Sequence, residues 1–123
     1  MLRTQKIDRI EGRITVPGDK SISHRAIMLL SISQGMGRIE GCLRGSDCLS
    51  TMTCLRQLGV KIEDTGKEIV VYGRGLRSLQ KPSHVLDAGN SGTTMRLICG
   101  ILAGQDFTCT VSGDASLQGR PMD

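Results

Sequence analysis

Val16-Pro17-Gly18-Asp19-Lys20-Ser21-Ile22-Ser23-His24-Arg25 changes its periodicity halfway along. Upstream, Arg13-Ile14-Thr15-Val16 alternates as a strand does, and the Pro17-Gly18 turn stops it. From Ser21 onward the apolar residues fall at helical spacing. Lys20 therefore stands at a helix mouth, with Arg25 one turn inside, four residues after Ser21 and on the same face. A helix N-terminus carries unpaired N–H groups and a partial positive charge. A lysine, a serine hydroxyl and an arginine gathered there make a compact site for an anion.

Working outward, residues 3–8 and 12–16 read as two short strands broken at Glu11-Gly12. The helix predicted over 21–33 turns Ile22, Ala26, Leu29 and Leu30 inward and ends at Gly35. A short strand over 38–42 precedes a second helix, which begins at Ser46-Asp47, buries Cys48, Met52, Leu55 and Leu58, and is terminated by Gly59. Alternation in 60–63 and 68–72 around the turn 64–67 predicts a hairpin. A basic connection over 73–82 leads to a strand at 84–86, a Gly-rich turn at 87–92, a third helix to about Ala103 with Met95, Ile98, Ile101 and Leu102 inward, and a strand over 106–112.

The order β-α-β-α-β-β, then β-α-β, hides a repeat. Gly18 to Arg25 and Gly89 to Arg96 have the same spacing: a Gly-polar turn, a helix start and an arginine one turn inside. Ending on Gly119-Arg120-Pro121-Met122-Asp123 with no closing element, the chain reads as a piece of a longer protein that stops inside its second repeat.

The 123 residues are long enough for a modest core. Sixteen glycines point to tight turns and close backbone approaches, since Pro is scarce and no segment is low in complexity. A net charge of +4 suits acidic partners, either small phosphorylated molecules or nucleic acid. With one Tyr and one Phe, stacking platforms for single-stranded nucleic acid are lacking. No apolar run reaches membrane-spanning length, and no signal-peptide core opens the chain. The five cysteines form no Cys-x-x-Cys and read as reduced, mostly buried thiols; with two distant histidines they give no zinc spacing.

Gly18-Asp19-Lys20-Ser21 lacks the upstream glycine of a P-loop, and Gly73-Arg74-Gly75-Leu76-Arg77-Ser78 lacks the third glycine of a dinucleotide fingerprint. What remains is a set of anion-binding groups: Lys20, Ser21 and Arg25 in the first copy; Gly89, Asn90, Ser91 and Gly92 with Thr93, Thr94 and Arg96 in the second; and Arg120 ahead of a stiff proline. Against this stands the reading in which the glycines only cap helices and the arginines are solvated. His24 reads as structural or supporting, His84 as structural, and the basic run 67–81 as a solvated hairpin and loop.

Three motifs, Val16 to Ala26, Leu86 to Arg96 and Gly113 to Met122, together with Gly45-Ser46-Asp47 and Leu58-Gly59-Val60, resemble the EPSP synthase (3-phosphoshikimate 1-carboxyvinyltransferase) family in order and over essentially the whole chain. The sister family acting on UDP-N-acetylglucosamine is the alternative. It opens with Lys-Asn where this chain has Lys20-Ser21, and it carries a reactive Cys where this chain has Asp114-Ala115-Ser116.

The resemblance implies an α/β (α+β) enolpyruvyl transferase fold built from β-α-β-α-β-β units, with one full unit and part of a second in this chain. Residues 1–19 would be strands that pack with the absent C-terminal half, and 20–123 part of an N-terminal substrate-binding domain. The implied reaction transfers the enolpyruvyl group of phosphoenolpyruvate to the 5-hydroxyl of shikimate 3-phosphate, with no cofactor and no metal. Carried over by position, Lys20, Ser21 and Arg25 hold shikimate 3-phosphate, while Lys20, Asn90, Gly92, Thr93 and Arg120 hold phosphoenolpyruvate. The general acid/base groups fall beyond residue 123, so no catalytic residue is expected here and the isolated chain should be inactive. A cytoplasmic monomer when complete, with no nucleic-acid or membrane partner, is the accompanying expectation. One departure is Leu97, where many members have Pro after the arginine. The rival of another class is a non-catalytic anion- or RNA-binding module using the basic surface.

Overall fold

Cys48, Thr51, Met52 and Leu55 recur every three or four residues, and this spacing makes α2 (Ser46–Gln57) the buried centre of the chain. Around it the computed structural model, which describes residues 1–122, places α1 (Lys20–Ile32), β1 (Gln34–Glu40), β2 (Lys61–Asp64), β3 (Glu68–Arg74), β4 (Leu86–Asp87), α3 (Gly92–Leu102), β5 (Val111–Ser112) and α4 (Ala115–Gln118). Leu58 caps α2, and Gly59, with φ of +87°, takes the left-handed position after it that a side chain would resist.

β3 is the middle of a three-stranded antiparallel sheet, β1-β3-β2, with Met36 opposite Tyr72 and Ile62 opposite Val71. The predicted hairpin over 60–72 forms, and Thr65 closes its turn by donating its N–H to the Glu68 carbonyl at 3.1 Å. β4 and β5 pair in parallel across α3, a β-α-β crossover in which Leu86 lies opposite Val111. The core consists of Ile27, Met52, Leu55, Leu58, Ile69, Val71, Leu86 and Ile98, all at most 1% exposed. Each such burial is worth about 1.5–3 kcal/mol.

Several expectations change. Residues 1–19 contain no strand: Ile7, Ile10, Ile14 and Val16 are all exposed, so the two short runs lack the third strand or packed face that stabilises a hairpin in water. The first β-α-β-α-β-β unit is therefore seen without its opening strand. The inward face of α1 is rotated from the predicted one: Ser23, His24, Ile27, Met28 and Ser31 are buried, while Ile22 and Leu29 are each 63% exposed. Polar residues can fill this face because their hydroxyls are bonded, Ser31 Oγ to the Ile27 carbonyl at 2.7 Å and Ser23 Oγ to the Asp19 carbonyl at 2.8 Å. The helix ends on Ser33, and Gly35 stands inside β1.

His84, read as structural, is exposed. The strand over 106–112 shrinks to Val111–Ser112, and that over 84–86 becomes Leu86–Asp87. Of the cysteines, Cys42, Cys48 and Cys54 are buried, Cys109 is half-buried and Cys99 is exposed. Burial, with Asp87 nearby, pushes the Cys54 thiol up to about 11, so it stays protonated at neutral pH.

Candidate functional site

The mouth of α1 is held by close backbone packing. A Cβ added at Gly18 would sit 1.9 Å from the Gly41 carbonyl oxygen, so only glycine lets the turn lie against residues 41–43. Ser23 Oγ fastens that contact by accepting the Leu43 N–H at 2.9 Å. Asp19 is the N-cap, accepting the Ile22 N–H at 2.7 Å. Lys20 is the first helical residue; its ammonium pairs with the Asp47 carboxylate of α2 and stays half-exposed. Ser21 and Arg25 are exposed one turn apart, and Arg25 Nε donates to the Ser21 carbonyl at 3.2 Å.

The second mouth is that of α3, whose N-cap is Ser91; its Oγ accepts the Thr94 N–H at 3.1 Å. The repeat read from the sequence is therefore offset by one residue in space. The caps are Asp19, one after Gly18, and Ser91, two after Gly89. Arg25 and Arg96 thus leave their helices about 100° apart, one residue's rotation. The Arg96 guanidinium goes to the Pro121 carbonyl. Thr94, counted as an anion-binding hydroxyl, is fully buried and points inward; Thr93 is half-buried.

Arg120 stands over this second mouth. Its Nη2 donates to Asn90 Oδ1 at 2.8 Å, and a Cβ at Gly92 would lie 3.4 Å from its Nη1. Asn90 Nδ2 in turn donates to Asp114 Oδ2 at 2.8 Å. Arginine only donates and a carboxylate only accepts, so the amide has one orientation that serves both. Asp114 also caps α4, accepting the Leu117 N–H at 2.8 Å. The Asn90 amide, with that backbone N–H, holds the Asp114 carboxyl below the ordinary carboxylate range.

The two mouths adjoin at Asp47. Its side chain takes Lys20, and its carbonyl oxygen accepts Thr94 Oγ1 at 3.2 Å, two residues beyond Gly92. The structure thus gathers Asn90, Gly92, Thr93 and Arg120 around one mouth and Lys20, Ser21 and Arg25 around the other. Asp47 and Asp114, which orient Lys20 and Asn90, were not singled out from the sequence. Ser46-Asp47 reads in the sequence as a helix start, and both it and Gly113-Asp114 as parts of the resemblance motifs, with no partner indicated for either carboxylate. A separate groove of about 660 Å³ lies along α3 and the segment before β5, lined by Met95, Cys99, Phe107 and Cys109 among others.

Such an arrangement can grip two small anions side by side, with backbone N–H groups and cations and with carboxylates that orient the cations. The same backbone arrangement occurs in a solved structure of EPSP synthase from Acinetobacter baumannii. It superposes with a TM-score of 0.86 at 46% identity, over 90% of this chain and 26% of that one. The chain accordingly has the α/β enolpyruvyl transferase fold.

Among curated relatives, the 3-phosphoshikimate 1-carboxyvinyltransferase of Alkaliphilus metalliredigens is 64% identical over all of this chain and 29% of its own length. That of Herpetosiphon aurantiacus is 56% identical over 92% of this chain and 26% of its own. The family profile described as EPSP synthase (3-phosphoshikimate 1-carboxyvinyltransferase) matches residues 4–123, and the chain belongs to that family. It spans 29% of the length of the Alkaliphilus relative.

Proposed function

We propose that this chain is the part of a 3-phosphoshikimate 1-carboxyvinyltransferase that takes hold of both substrates, shikimate 3-phosphate and phosphoenolpyruvate. The observation that carries the reading is the junction at Asp47, which sets the Lys20 mouth beside the Gly92 mouth. Shikimate 3-phosphate is held by Lys20, Ser21 and Arg25. Phosphoenolpyruvate is held by Gly92 and Thr93 at the first turn of α3, by Arg120, and by Asn90, which aims the guanidinium. Lys20 faces both.

In the reaction, the 5-hydroxyl oxygen bonds to the central carbon of the enolpyruvyl group, its proton is removed and the methylene carbon gains one. The phosphate C–O bond then breaks with its electron pair leaving on phosphate, and the methyl carbon gives up a proton as the double bond reforms. Two multiply charged anions repel each other, so cations between them and fixed N–H donors supply the encounter geometry, worth several kcal/mol of barrier. Proton transfer falls to groups outside residues 1–123. Exposed Ile7, Ile10, Ile14 and Val16, with Ile22 and Leu29 of α1, support a second half covering this face and pairing with residues 1–19. Cytoplasmic residence and a monomeric whole complete the proposal; among the described residues no helix is long and apolar enough to cross a membrane.

The test is a chimera in which residues 1–123 replace the matching segment of the Alkaliphilus relative. It should release phosphate from phosphoenolpyruvate in the presence of shikimate 3-phosphate and not of UDP-N-acetylglucosamine, whereas residues 1–123 alone should not. A folded chimera without turnover, or turnover by the isolated chain, contradicts the proposal.

A further inference from the structure

Beneath the two mouths runs a buried polar chain. His24 is 0% exposed, and its Nδ1 lies 2.7 Å from Thr51 Oγ1. Thr51 Oγ1 lies 2.7 Å from Thr94 Oγ1, which is 2.7 Å from Ser91 Oγ and 3.2 Å from the Asp47 carbonyl oxygen. Thr51 and Thr94 are fully buried as well, and the other ring nitrogen of His24, Nε2, has no partner. The members come from α1, α2, α3 and the cap of α3, and the chain ends on Asp47, whose side chain orients Lys20.

Proton counting gives this chain a direction. The Asp47 carbonyl can only accept, and each hydroxyl has a single proton to give. Thr94 Oγ1 is placed to donate to Ser91 Oγ and to the Asp47 carbonyl, so its one proton goes to one of these and it accepts from Thr51. Thr51 has then spent its own proton and must accept one from Nδ1–H of His24. One of Thr94's two acceptors goes without its proton, and Nε2 is left as a bare lone pair. Running the chain the other way takes the Thr94 proton from both Ser91 and Asp47 and leaves an N–H donor buried without an acceptor, the costlier outcome. Burial holds the imidazole below its ordinary value, opposed by the Asp47 carboxylate and assisted by Lys20, in keeping with a neutral ring.

We propose that His24 is a positioning residue. Locked as the neutral Nδ1–H tautomer, it fixes the hydroxyls of Thr51 and Thr94 and so sets the Lys20 and Gly92 mouths at the separation that two adjacent anionic substrates require. The last clause rests on the proposed function; the tautomer does not.

Two measurements test it. In the full chain labelled with ¹⁵N-histidine, with His24→Asn assigning the resonance, the ring nitrogens should show protonated Nδ1 and bare Nε2. Any titration of the ring should fall below the ordinary imidazole value of about 6.5. In the chimera, Thr51→Val removes the hydroxyl and keeps the volume. It should raise KM for both substrates about fivefold, the value of one hydrogen bond, and leave kcat nearly unchanged. His24→Asn, which keeps an N–H where Nδ1 stood, should stay within about twofold of the unmodified protein, because that bond is retained. A protonated Nε2, a ring that titrates at the ordinary value, or a folded Thr51→Val chimera with unchanged KM values overturns the proposal. If the unmodified chimera lacked turnover, the functional reading would fall while the nitrogen shifts still decided the tautomer.

Discussion

Gly92→Ala separates binding from folding at the second mouth. The added Cβ would stand 3.4 Å from Arg120 Nη1 and 3.7 Å from Leu117 Cδ1, both ordinary contacts that a long side chain relieves with little movement. Gly92 opens α3, where alanine is the better helix former by up to about 1 kcal/mol. Stability should therefore hold or rise slightly. A ligand fares worse. A phosphate or carboxylate oxygen bonded to the first-turn N–H groups must come within about 2.8 Å of nitrogen, whereas a methyl keeps other atoms about 3.5–4 Å away. The methyl would lie between those N–H groups and the Arg120 guanidinium and hold the anion off one of them. A hydrogen bond to a charged group is worth about 1.5–3 kcal/mol, which converts to roughly ten- to a hundredfold in affinity. In the chimera, KM for phosphoenolpyruvate should rise by that factor while KM for shikimate 3-phosphate stays within about twofold, since the first mouth is untouched. Thermal unfolding of the same variant supplies the control. An unchanged KM for phosphoenolpyruvate, an equal rise in both KM values, or a lowered melting temperature would refute the reasoning.

The opposite behaviour is expected at Gly18. There the clash is with the Gly41 backbone oxygen at 1.9 Å, which no rotamer relieves, so Gly18→Ala should cost about 1–3 kcal/mol of stability in denaturant melts. Asp114→Ala should raise KM for phosphoenolpyruvate more than KM for shikimate 3-phosphate, because Asn90 then loses the acceptor that aims its carbonyl at Arg120; equal effects on both would show that the relay does not act on one mouth. Stability should also depend on pH through His24, whose folded pKa is lowered mainly by burial. Between that value and the unfolded one near 6.5 the unfolded chain binds more protons, so the contribution is complete above about pH 6.5 and is lost as pH falls toward the folded value. Denaturant midpoints from pH 7.5 downward should show this slope in the unmodified chain and a flatter one in His24→Asn.

What could be read from the sequence differs by element. α2 and the hairpin were legible because the positions that matter there are apolar and at regular spacing: Cys48, Met52 and Leu55 on the helix, Ile62, Ile69 and Val71 in the strands. α1 misled for a definite reason. Its buried face includes Ser23, His24 and Ser31, whose burial depends on hydrogen bonds, from Leu43 and to Thr51 for the first two and back to the Ile27 carbonyl for Ser31, so a rule that sends isoleucine and leucine inward chooses the wrong stripe. The short strands over 3–8 and 12–16 have strand composition and no partner among the described residues. At the site, the residues that would meet ligand stood out as motifs. The groups that aim them did not, because Asp47 and Asp114 act across 27 and 24 residues of sequence, on Lys20 and Asn90 respectively. The one-residue offset between caps was likewise hidden, since identical spacing does not say which residue of a turn becomes the cap.

Lys20→Met in the chimera tests the shared clamp most directly. Methionine keeps much of the side chain's length and apolar stem and removes the charge. With Lys20 facing both anions, KM for shikimate 3-phosphate and KM for phosphoenolpyruvate should both rise tenfold or more, as expected for the loss of a charged contact worth about 1.5–3 kcal/mol to each. A folded variant in which only one of the two values moves would contradict the account.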